Sequence, residues 1–222
     1  MLNGLNPPLA VIAKFIPLKT RFMACFASLL FSASVVAAPK TIVFFGDSLT
    51  AGYGLDDPQT DAFPGRIQSK IQEAHLPYRV VNAGLSGETT AGGVRRVDWI
   101  LRQSVDVFVL ALGGNDGLRG IEPAVSRANL QKIIDRVRTA NPNTKVVLAG
   151  MIMPPSMGAD YAREFGAMYP ELAERKKIAF VPFLLAGVGG SSTLNQPDQI
   201  HPTSAGQAIL ADTVWKVLRP LL

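Results

Sequence analysis

Five short runs rich in valine, isoleucine and phenylalanine recur along the chain, and longer segments with helical periodicity separate them. Nearly continuous apolar runs of this length are typical of strands that are covered on both faces. Strands that alternate with helices pack as a mostly parallel sheet, so this pattern predicts an α/β fold. The predicted strands are Thr41–Phe45, Arg79–Asn82, Asp106–Leu112, Lys145–Ala149 and Ala179–Phe183.

The segments between these runs place apolar residues three or four positions apart, which is the spacing of one helix face. Right-handed crossover connections then favour a doubly wound order of the strands. We therefore expect a three-layer, flavodoxin-like, five-stranded parallel sheet with helices on both faces. Since neither an internal repeat nor a linker follows Ala38, residues 38–222 are expected to form one domain. The clearest helical repeats are Phe63, Ile67 and Ile71; Leu130, Ile133, Ile134 and Val137; and Leu210, Val214, Val217 and Leu218.

Residues 1–37 differ in composition from the rest of the chain. They contain three basic residues and no acidic residue, and the apolar run Phe22–Val36 ends in the small residues Ala37 and Ala38. This order is typical of a secretory signal peptide, and we expect cleavage after Ala37. The apolar run is shorter than the roughly 20 residues of a membrane-spanning helix. A retained membrane anchor is the alternative interpretation.

The composition excludes several classes of protein. The formal net charge is +5, but three of the 22 basic residues and none of the 17 acidic residues lie in residues 1–37. The remaining chain is nearly neutral with mixed charges, which argues against nucleic-acid binding. The only cysteine, Cys25, lies in the leader, and a cysteine-free chain suits an oxidising compartment such as the periplasm. His75 and His201 are the only histidines, so a structural zinc site is excluded, whereas a site of carboxylates for a hard cation is not. We expect no metal and no cofactor.

Ser48 follows the first predicted strand in the sequence Gly46-Asp47-Ser48-Leu49. A strand that ends in glycine and a polar turn places this hydroxyl at the carboxyl edge of the sheet, where open α/β sheets bind ligands. The alternative is that Asp47 and Ser48 form only a turn or a helix cap.

Asp198 precedes His201 by three residues, just before the last predicted helix. On a helical turn this spacing puts both side chains on one face, so the carboxylate can accept a hydrogen bond from the imidazole. The other imidazole nitrogen is then available as a base, which a serine hydroxyl needs to become a nucleophile. The alternative is a surface turn without a chemical role.

Two glycine-rich loops follow the second and third predicted strands. They are Asn82–Gly87 and Leu112–Gly117, and they contain Gly84 and Asn115. A glycine lets a backbone N–H approach a ligand closely, and an asparagine amide can donate to a developing oxyanion. Each loop alone is equally compatible with a tight turn. However, all these residues follow the carboxyl ends of predicted strands, which together predicts an acyl-transfer site.

The blocks of sequence that carry these residues resemble the four defining blocks of the SGNH, or GDSL, hydrolase family, and the resemblance extends from about residue 40 to the C-terminus. It implies Ser48 as the nucleophile, His201 as the base and Asp198 as the residue that orients the base. It also implies an oxyanion hole formed by the N–H groups of Ser48 and Gly84 and the side chain of Asn115. The blocks are Gly46-Asp47-Ser48-Leu49, Gly84, Gly114-Asn115-Asp116 and Asp198-x-x-His201.

Within the family, the chain is most similar to the secreted multifunctional thioesterase, arylesterase and lysophospholipase type. We therefore expect a periplasmic serine hydrolase, a monomer without a stable membrane anchor after processing. It would cleave small carboxylic esters, acyl-CoA thioesters or lysophospholipids through an acyl-enzyme on Ser48. The alternatives are a carbohydrate deacetylase that uses the same residues and a non-catalytic lipid- or glycan-binding module.

Overall fold

The structure is a computed structural model that describes residues 38–222 of the chain. The predicted signal peptide, residues 1–37, lies outside the described residues together with Cys25. Its cleavage after Ala37 therefore stays a prediction.

Five parallel strands form one sheet in the order β2-β1-β3-β4-β5. This is the flavodoxin-like order, with the first strand inside the sheet and the second at its edge. The predicted α/β fold class and the doubly wound order are therefore confirmed. The strands are β1 (Lys40–Gly46), β2 (Tyr78–Gly84), β3 (Val107–Ala111), β4 (Lys145–Ala149) and β5 (Ala179–Val181).

Helices connect the strands and cover the sheet. α3 packs against α8, whereas α4 packs against α6 and α6 packs against α7. The predicted helical repeats lie in α3, α6 and α8, and most of their apolar residues are fully buried. The helices are α1 (Ser48–Ala51), α2 (Pro58–Asp61), α3 (Phe63–Glu73), α4 (Thr90–Ile100), α5 (Gly114–Leu118), α6 (Pro123–Ala140), α7 (Ala159–Lys176) and α8 (Ser204–Leu218), with short 3₁₀ turns at Pro155–Met157 and Arg219–Leu221.

The central strands β1 and β3 are buried along nearly their whole length. Their apolar side chains alternate between the two faces of the sheet, and helices cover both faces. The predicted fifth strand is too long by two residues, because Pro182 follows Val181 and a proline cannot donate to a strand ladder. No helix in residues 38–222 combines the length and hydropathy that crossing a bilayer requires.

The register of the sheet brings the functional loops to one edge. Gly46, the last residue of β1, pairs with Gly84 on one side and with Ala111 on the other. A Cβ atom at Gly46 would lie 2.0 Å from the Thr50 hydroxyl oxygen, so only a glycine lets α1 fold back over the strand end. The loops that carry Ser48, Gly84 and Asn115 therefore begin side by side.

Candidate active site

The segment that follows β1 presents Ser48 at the start of a short helix. Asp47 caps this helix, since its Oδ1 atom accepts a hydrogen bond from the Leu49 N–H at 3.0 Å. Ser48 is the first helical residue, and its N–H has no acceptor among the described residues. The cap interpretation thus applies to Asp47, while the Ser48 hydroxyl and N–H both remain available for chemistry.

His201 lies opposite Ser48 and connects it to Asp198. The His201 Nε2 atom is 2.9 Å from Ser48 Oγ, and His201 Nδ1 is 2.6 Å from Asp198 Oδ2. The structure therefore brings the three predicted residues into one hydrogen-bonded chain, although Ser48 and His201 are 153 positions apart in sequence.

Asp198 and His201 lie in a hairpin rather than on the helical turn that their spacing predicts. We call residues 194–203 the base hairpin. Its sides are joined by hydrogen bonds from Thr203 N–H to Leu194 O at 2.9 Å and from Gln196 N–H to His201 O at 2.7 Å. The turn between them is irregular, because Gln199 has a φ of +60°. The three-residue spacing still brings both side chains together, but a tight turn produces this contact.

The surroundings of Asp198 keep its carboxylate ionised. Its Oδ1 atom accepts the backbone N–H groups of His201 at 3.0 Å and Ile200 at 2.9 Å. The backbone N–H of His201, the His201 ring and the Ile200 N–H lower the pKa of Asp198 to about 2. An ionised carboxylate only accepts hydrogen bonds, so the proton lies on His201 Nδ1. Nε2 is then the acceptor that faces the Ser48 hydroxyl.

Asn115 is the second residue of α5, at the carboxyl end of β3. Its Nδ2 atom donates to the Glu88 carbonyl at 3.1 Å and lies 3.4 Å from Asp47 Oδ2. The donor end of the amide therefore faces the residue that precedes Ser48. This orientation agrees with the predicted use of Asn115 as a hydrogen-bond donor.

Asp47 is the buried ionisable group beside Ser48, and it is only 2% exposed. Burial raises the pKa of Asp47 to about 6, against the opposing effect of hydrogen bonds from the Leu49 N–H and the Asn115 amide and of nearby His201. Burial in a low-dielectric environment disfavours the charged carboxylate, which explains the direction of the shift.

The geometry of Gly84 does not favour its predicted role as an oxyanion-hole donor. Backbone N–H groups in a parallel edge strand point alternately toward the neighbouring strand and away from it. Leu85 N–H donates to Gly46 O, so the Gly84 N–H points to the open edge of the sheet, where it donates to Asn82 Oδ1 at 3.0 Å. A Cβ atom at Gly84 would lie 2.3 Å from the Ala51 nitrogen. The glycine is therefore needed for the close packing of α1.

Gly87, three residues further along the same loop, better fits an N–H donor. It has a φ of +78°, and its N–H makes no hydrogen bond with another described residue. It directly precedes Glu88, whose carbonyl contacts Asn115. The sequence contains both glycines in Gly84-Leu85-Ser86-Gly87. Only the register of β2 against β1 distinguishes between them.

Charged side chains that the sequence analysis missed hold this loop in place. Arg96 forms a two-pronged ion pair with Glu88, whose side chain is almost fully buried, and donates to Ala83 O at 2.9 Å. The Arg96 guanidinium also stacks 4.2 Å from the centre of the Phe45 ring. These contacts fix the Glu88 carbonyl that Asn115 contacts.

Asp116 is almost fully buried and joins α5 to the first residue of α4 and to α6. Its carboxylate accepts the Thr90 N–H at 2.8 Å, the Thr90 hydroxyl at 2.5 Å and the Ser126 hydroxyl at 3.1 Å. Fully hydrogen-bonded polar networks of this kind make a buried site rigid. The sequence gives a signal for Asp116, since this residue directly follows Asn115. It gives no signal that Thr90 and Ser126 are its partners.

Exposed apolar side chains are concentrated at the edge of the sheet that carries the site; we call them the apolar rim. Five of the seven large hydrophobic residues that are strongly exposed lie on loops or short helices at the carboxyl edge of the sheet. Such a group of exposed apolar residues is typical of a binding surface for an apolar ligand. They are Tyr53, Leu85, Leu118, Ile152 and Ile200.

The arrangement contains the groups that acyl transfer requires. A hydroxyl, an imidazole and an ionised carboxylate form one hydrogen-bonded chain, and N–H donors lie beside the hydroxyl. Within residues 38–222, no group of three or more histidine, cysteine, aspartate or glutamate side chains has the arrangement of a metal site.

Comparison with known proteins identifies relatives that match over most of the chain. The chain is 41% identical to the Esterase TesA of Pseudomonas aeruginosa over 187 residues, which cover 84% of this chain and 91% of that protein. It is 36% identical to the Thioesterase 1/protease 1/lysophospholipase L1 of Escherichia coli K12, over 84% of this chain and 86% of that one.

The fold has close counterparts among solved structures. The crystal structure of TesA superposes with a TM-score of 0.78 at 40% identity, covering 82% of this chain and all of that one. The model of the GDSL-like Lipase/Acylhydrolase family matches residues 44–209, a range that contains every predicted site residue from Ser48 to His201. Together with the predicted blocks of sequence, this match establishes that the chain belongs to the GDSL-like lipase/acylhydrolase family.

Proposed function

We propose that the chain is a serine hydrolase that cleaves carboxylic esters and thioesters through an acyl-enzyme on Ser48. The observation that carries this proposal is the hydrogen-bonded chain from Ser48 Oγ to His201 Nε2 at 2.9 Å and from His201 Nδ1 to Asp198 Oδ2 at 2.6 Å. A serine hydroxyl is a weak nucleophile until an adjacent base removes its proton. The imidazole is in position to act as that base.

The reaction then proceeds in two halves. His201 Nε2 removes the Ser48 proton as Oγ bonds to the substrate carbonyl carbon, and the carbonyl oxygen becomes an oxyanion. The tetrahedral intermediate collapses as His201 returns the proton to the departing alcohol oxygen or thiol sulfur. Water then attacks the acyl-enzyme by the same route, which releases the acid and restores the Ser48 hydroxyl. Asp198 remains ionised throughout, because its pKa is lowered to about 2.

The oxyanion hole consists of N–H donors at the carboxyl edge of the sheet. The Ser48 N–H has no partner among the described residues, and the Asn115 amide nitrogen is directed toward Asp47 and Glu88. We assign the third donor to the loop after β2. The Gly84 N–H, which was predicted from sequence as this donor, points to the open edge of the sheet and donates to Asn82 Oδ1, so its direction argues against Gly84. The N–H of Gly87, which makes no hydrogen bond with another described residue, favours that residue instead.

The substrate class follows from the family and from the apolar rim. The printed names of the relatives include esterase, thioesterase and lysophospholipase, and we extend these activities to this chain. Exposed apolar side chains such as Leu118 and Ile152 suit an acyl chain better than an acetylated sugar. This argues against the alternative of a carbohydrate deacetylase.

We further propose that residues 1–37 are removed as a signal peptide after Ala37 and that the enzyme acts in the periplasm as a monomer without a membrane anchor. The basic flank, the apolar run and the small residues at its end support this proposal. Mass spectrometry of the protein exported by its native host would give the N-terminus. An N-terminus at Ala38 is expected, and an intact leader on the exported protein would contradict the proposal.

The test of the proposed function is a hydrolysis screen with the chain beginning at Ala38. The substrates are nitrophenyl esters of increasing acyl length, acyl-CoA thioesters, a lysophospholipid and an acetylated sugar. We expect hydrolysis of the first two classes, and the variant Ser48→Ala should lose it while keeping its thermal midpoint. Hydrolysis of the sugar alone would identify a deacetylase. No hydrolysis of any substrate would favour a binding module.

A further inference from the structure

Few hydrogen bonds attach the base hairpin to the segment that carries Ser48. We call residues 46–55 the nucleophile segment. Among the described residues, two hydrogen bonds join these two parts: the His201–Ser48 contact itself, and a bond from Gln196 Nε2 to Tyr53 O at 2.7 Å. The bond between His201 and Ser48 changes when the proton is transferred. The Gln196 side chain then provides the hydrogen bond that still joins the base hairpin to the nucleophile segment.

Gln196 uses both protons of its amide group in this link. Nε2 donates to Tyr53 O at 2.7 Å in the nucleophile segment and to Pro202 O at 3.2 Å in its own hairpin. The Gln196 backbone N–H also donates to His201 O at 2.7 Å. Gln196 thus holds the backbone carbonyls of His201 and Pro202 and ties them to the segment opposite.

Gly54 allows this side chain to lie flat against the nucleophile segment. A Cβ atom at Gly54 would lie 2.1 Å from Gln196 Oε1, so any other residue there would displace the amide. Gly54 also has a φ of +75°, a conformation that other residues rarely adopt.

Tyr53 contacts both catalytic partners. Its N–H donates to Ser48 O at 3.1 Å, at the end of α1. Its ring centre lies 4.6 Å from the centre of the His201 ring, at an angle of 45°. The residue is 54% exposed, and its hydroxyl makes no hydrogen bond with another described residue. Hence neither burial nor the hydroxyl explains this position, whereas the contact with His201 does.

We propose that Gln196 and Tyr53 are positioning residues that set the distance between Ser48 Oγ and His201 Nε2. This proposal rests on the proposed function of the site. Gln196 fixes the distance of the hairpin backbone from the nucleophile segment. The Tyr53 ring prevents the imidazole from rotating toward solvent. Because a displacement of about 1 Å can cost about 10²-fold in rate, a link this sparse is expected to limit the turnover number when it is broken.

The test for Gln196 uses Gln196→Met, which keeps the length and neutral charge of the side chain but removes both donors. The matched control is Gln199→Met in the same hairpin, since Gln199 Nε2 donates only to Gln196 O within the hairpin. We expect kcat of Gln196→Met to fall about tenfold or more with KM little changed, and kcat of the control to stay within about twofold. A fall smaller than about threefold for Gln196→Met, or an equal fall in the control, would overturn the role of Gln196.

The test for Tyr53 compares Tyr53→Phe with Tyr53→Ala. Phenylalanine keeps the ring against His201 and removes only the hydroxyl, so its kcat should stay within about twofold of the wild-type value, whereas alanine should lower kcat about tenfold. Equal losses in both variants would show that the hydroxyl, and not the ring, matters. This result would overturn the proposal for Tyr53.

A second measurement excludes an effect on substrate binding or on folding. A small fluorophosphonate reacts with Ser48 without occupying the apolar rim, so its rate of reaction reports the Ser48–His201 pair. We expect this rate to fall in parallel with kcat in Gln196→Met and Tyr53→Ala, while the thermal midpoints stay close to wild type. Unchanged labelling with reduced ester hydrolysis would overturn the positioning role. If the wild-type protein is not labelled, the proposed function fails instead.

Discussion

The two halves of the candidate site are held by different forces. The nucleophile segment continues directly from the fully buried strand β1, and Ser48, Leu49 and Thr50 are themselves buried. The base hairpin lies at the surface, where Asp198 and Ile200 are exposed and local hydrogen bonds define the turn. The hydrophobic core therefore positions the nucleophile, whereas a few polar contacts position the base.

This contrast has a practical consequence. A substitution at an exposed hairpin residue that holds His201 should change the rate and leave the free energy of unfolding nearly the same, because little apolar surface is lost there. A substitution beside Ser48 should change both, since the same residues contribute to the core.

Asp198→Asn should have the largest effect. An asparagine amide donates where the carboxylate accepts, so it would favour the imidazole tautomer that carries its proton toward Ser48. The expected fall in kcat is about 10³–10⁴-fold. The free energy of unfolding should change by no more than about 0.5 kcal/mol because the side chain is exposed. Urea unfolding together with ester kinetics would measure both, and kcat within about tenfold of wild type would remove Asp198 from the proposed mechanism.

Asn115→Ala should have the next largest effect. If the amide donates to the oxyanion, its contribution grows as charge develops on the carbonyl oxygen, so the loss should appear in kcat rather than in KM. Removal of one such donor typically costs about 10²–10³-fold in kcat. The matched variant is Asn82→Ala, whose side chain caps the Gly84 N–H and donates to Thr50 O at 2.8 Å. Equal losses in the two variants would indicate a structural effect of both.

Asp47→Asn tests the buried nucleophile segment through the pH dependence of the free energy of unfolding. The pKa of Asp47 is raised from 3.8 to about 6 in the folded protein. Between these two pH values the folded state holds a proton on Asp47 that the unfolded state has released. The stability that is present below about pH 4 is therefore lost as the pH rises through about 6. A shift of about 2 units corresponds to about 3 kcal/mol.

The measurement is urea unfolding of wild type and Asp47→Asn at several pH values. The free energy of unfolding of the wild type should decline relative to the variant as the pH rises from about 4 to about 7. A constant offset between the two proteins would show that burial does not raise this pKa. Asp98→Asn, at an exposed carboxylate, is a suitable control.

Ile200→Ser should have the smallest effect on stability. Ile200 is 45% exposed at the tip of the base hairpin, whereas Leu49 is 6% exposed beside Ser48. We expect Ile200→Ser to change the free energy of unfolding by no more than about 0.5 kcal/mol. Leu49→Ala should cost about 2–5 kcal/mol. Similar losses of unfolding free energy in both variants would contradict the contrast. In it, the hydrophobic core positions the nucleophile and a few polar contacts position the base.

The sequence predicts the parts of the molecule that burial determines. Strands that are apolar on both faces, such as Lys145–Ala149, leave a continuous signal, and this strand is observed with the predicted bounds. The sheet order follows because crossover connections have a fixed handedness. Ser48 and Asn115 could be predicted as site residues because they directly follow such strands.

The details that the sequence does not predict depend on register and on distant contacts. The direction of the Gly84 N–H depends on whether that residue or its neighbour faces β1, and a slip by one residue would reverse it. Tyr53 and Gln196 are 143 positions apart, and their contact depends on where the base hairpin meets the nucleophile segment. The Glu88–Arg96 ion pair is closer in sequence, but nothing in its spacing indicates that the pair supports Asn115.

The most direct test of the account is the site of covalent labelling by a fluorophosphonate. The chain beginning at Ala38 is treated with the reagent, and peptide mass spectrometry locates the adduct. A single adduct on Ser48 is predicted, with little labelling in His201→Ala and none in Ser48→Ala. An adduct on another side chain, or ester hydrolysis that persists in Ser48→Ala, would contradict the claim that Ser48 is the nucleophile.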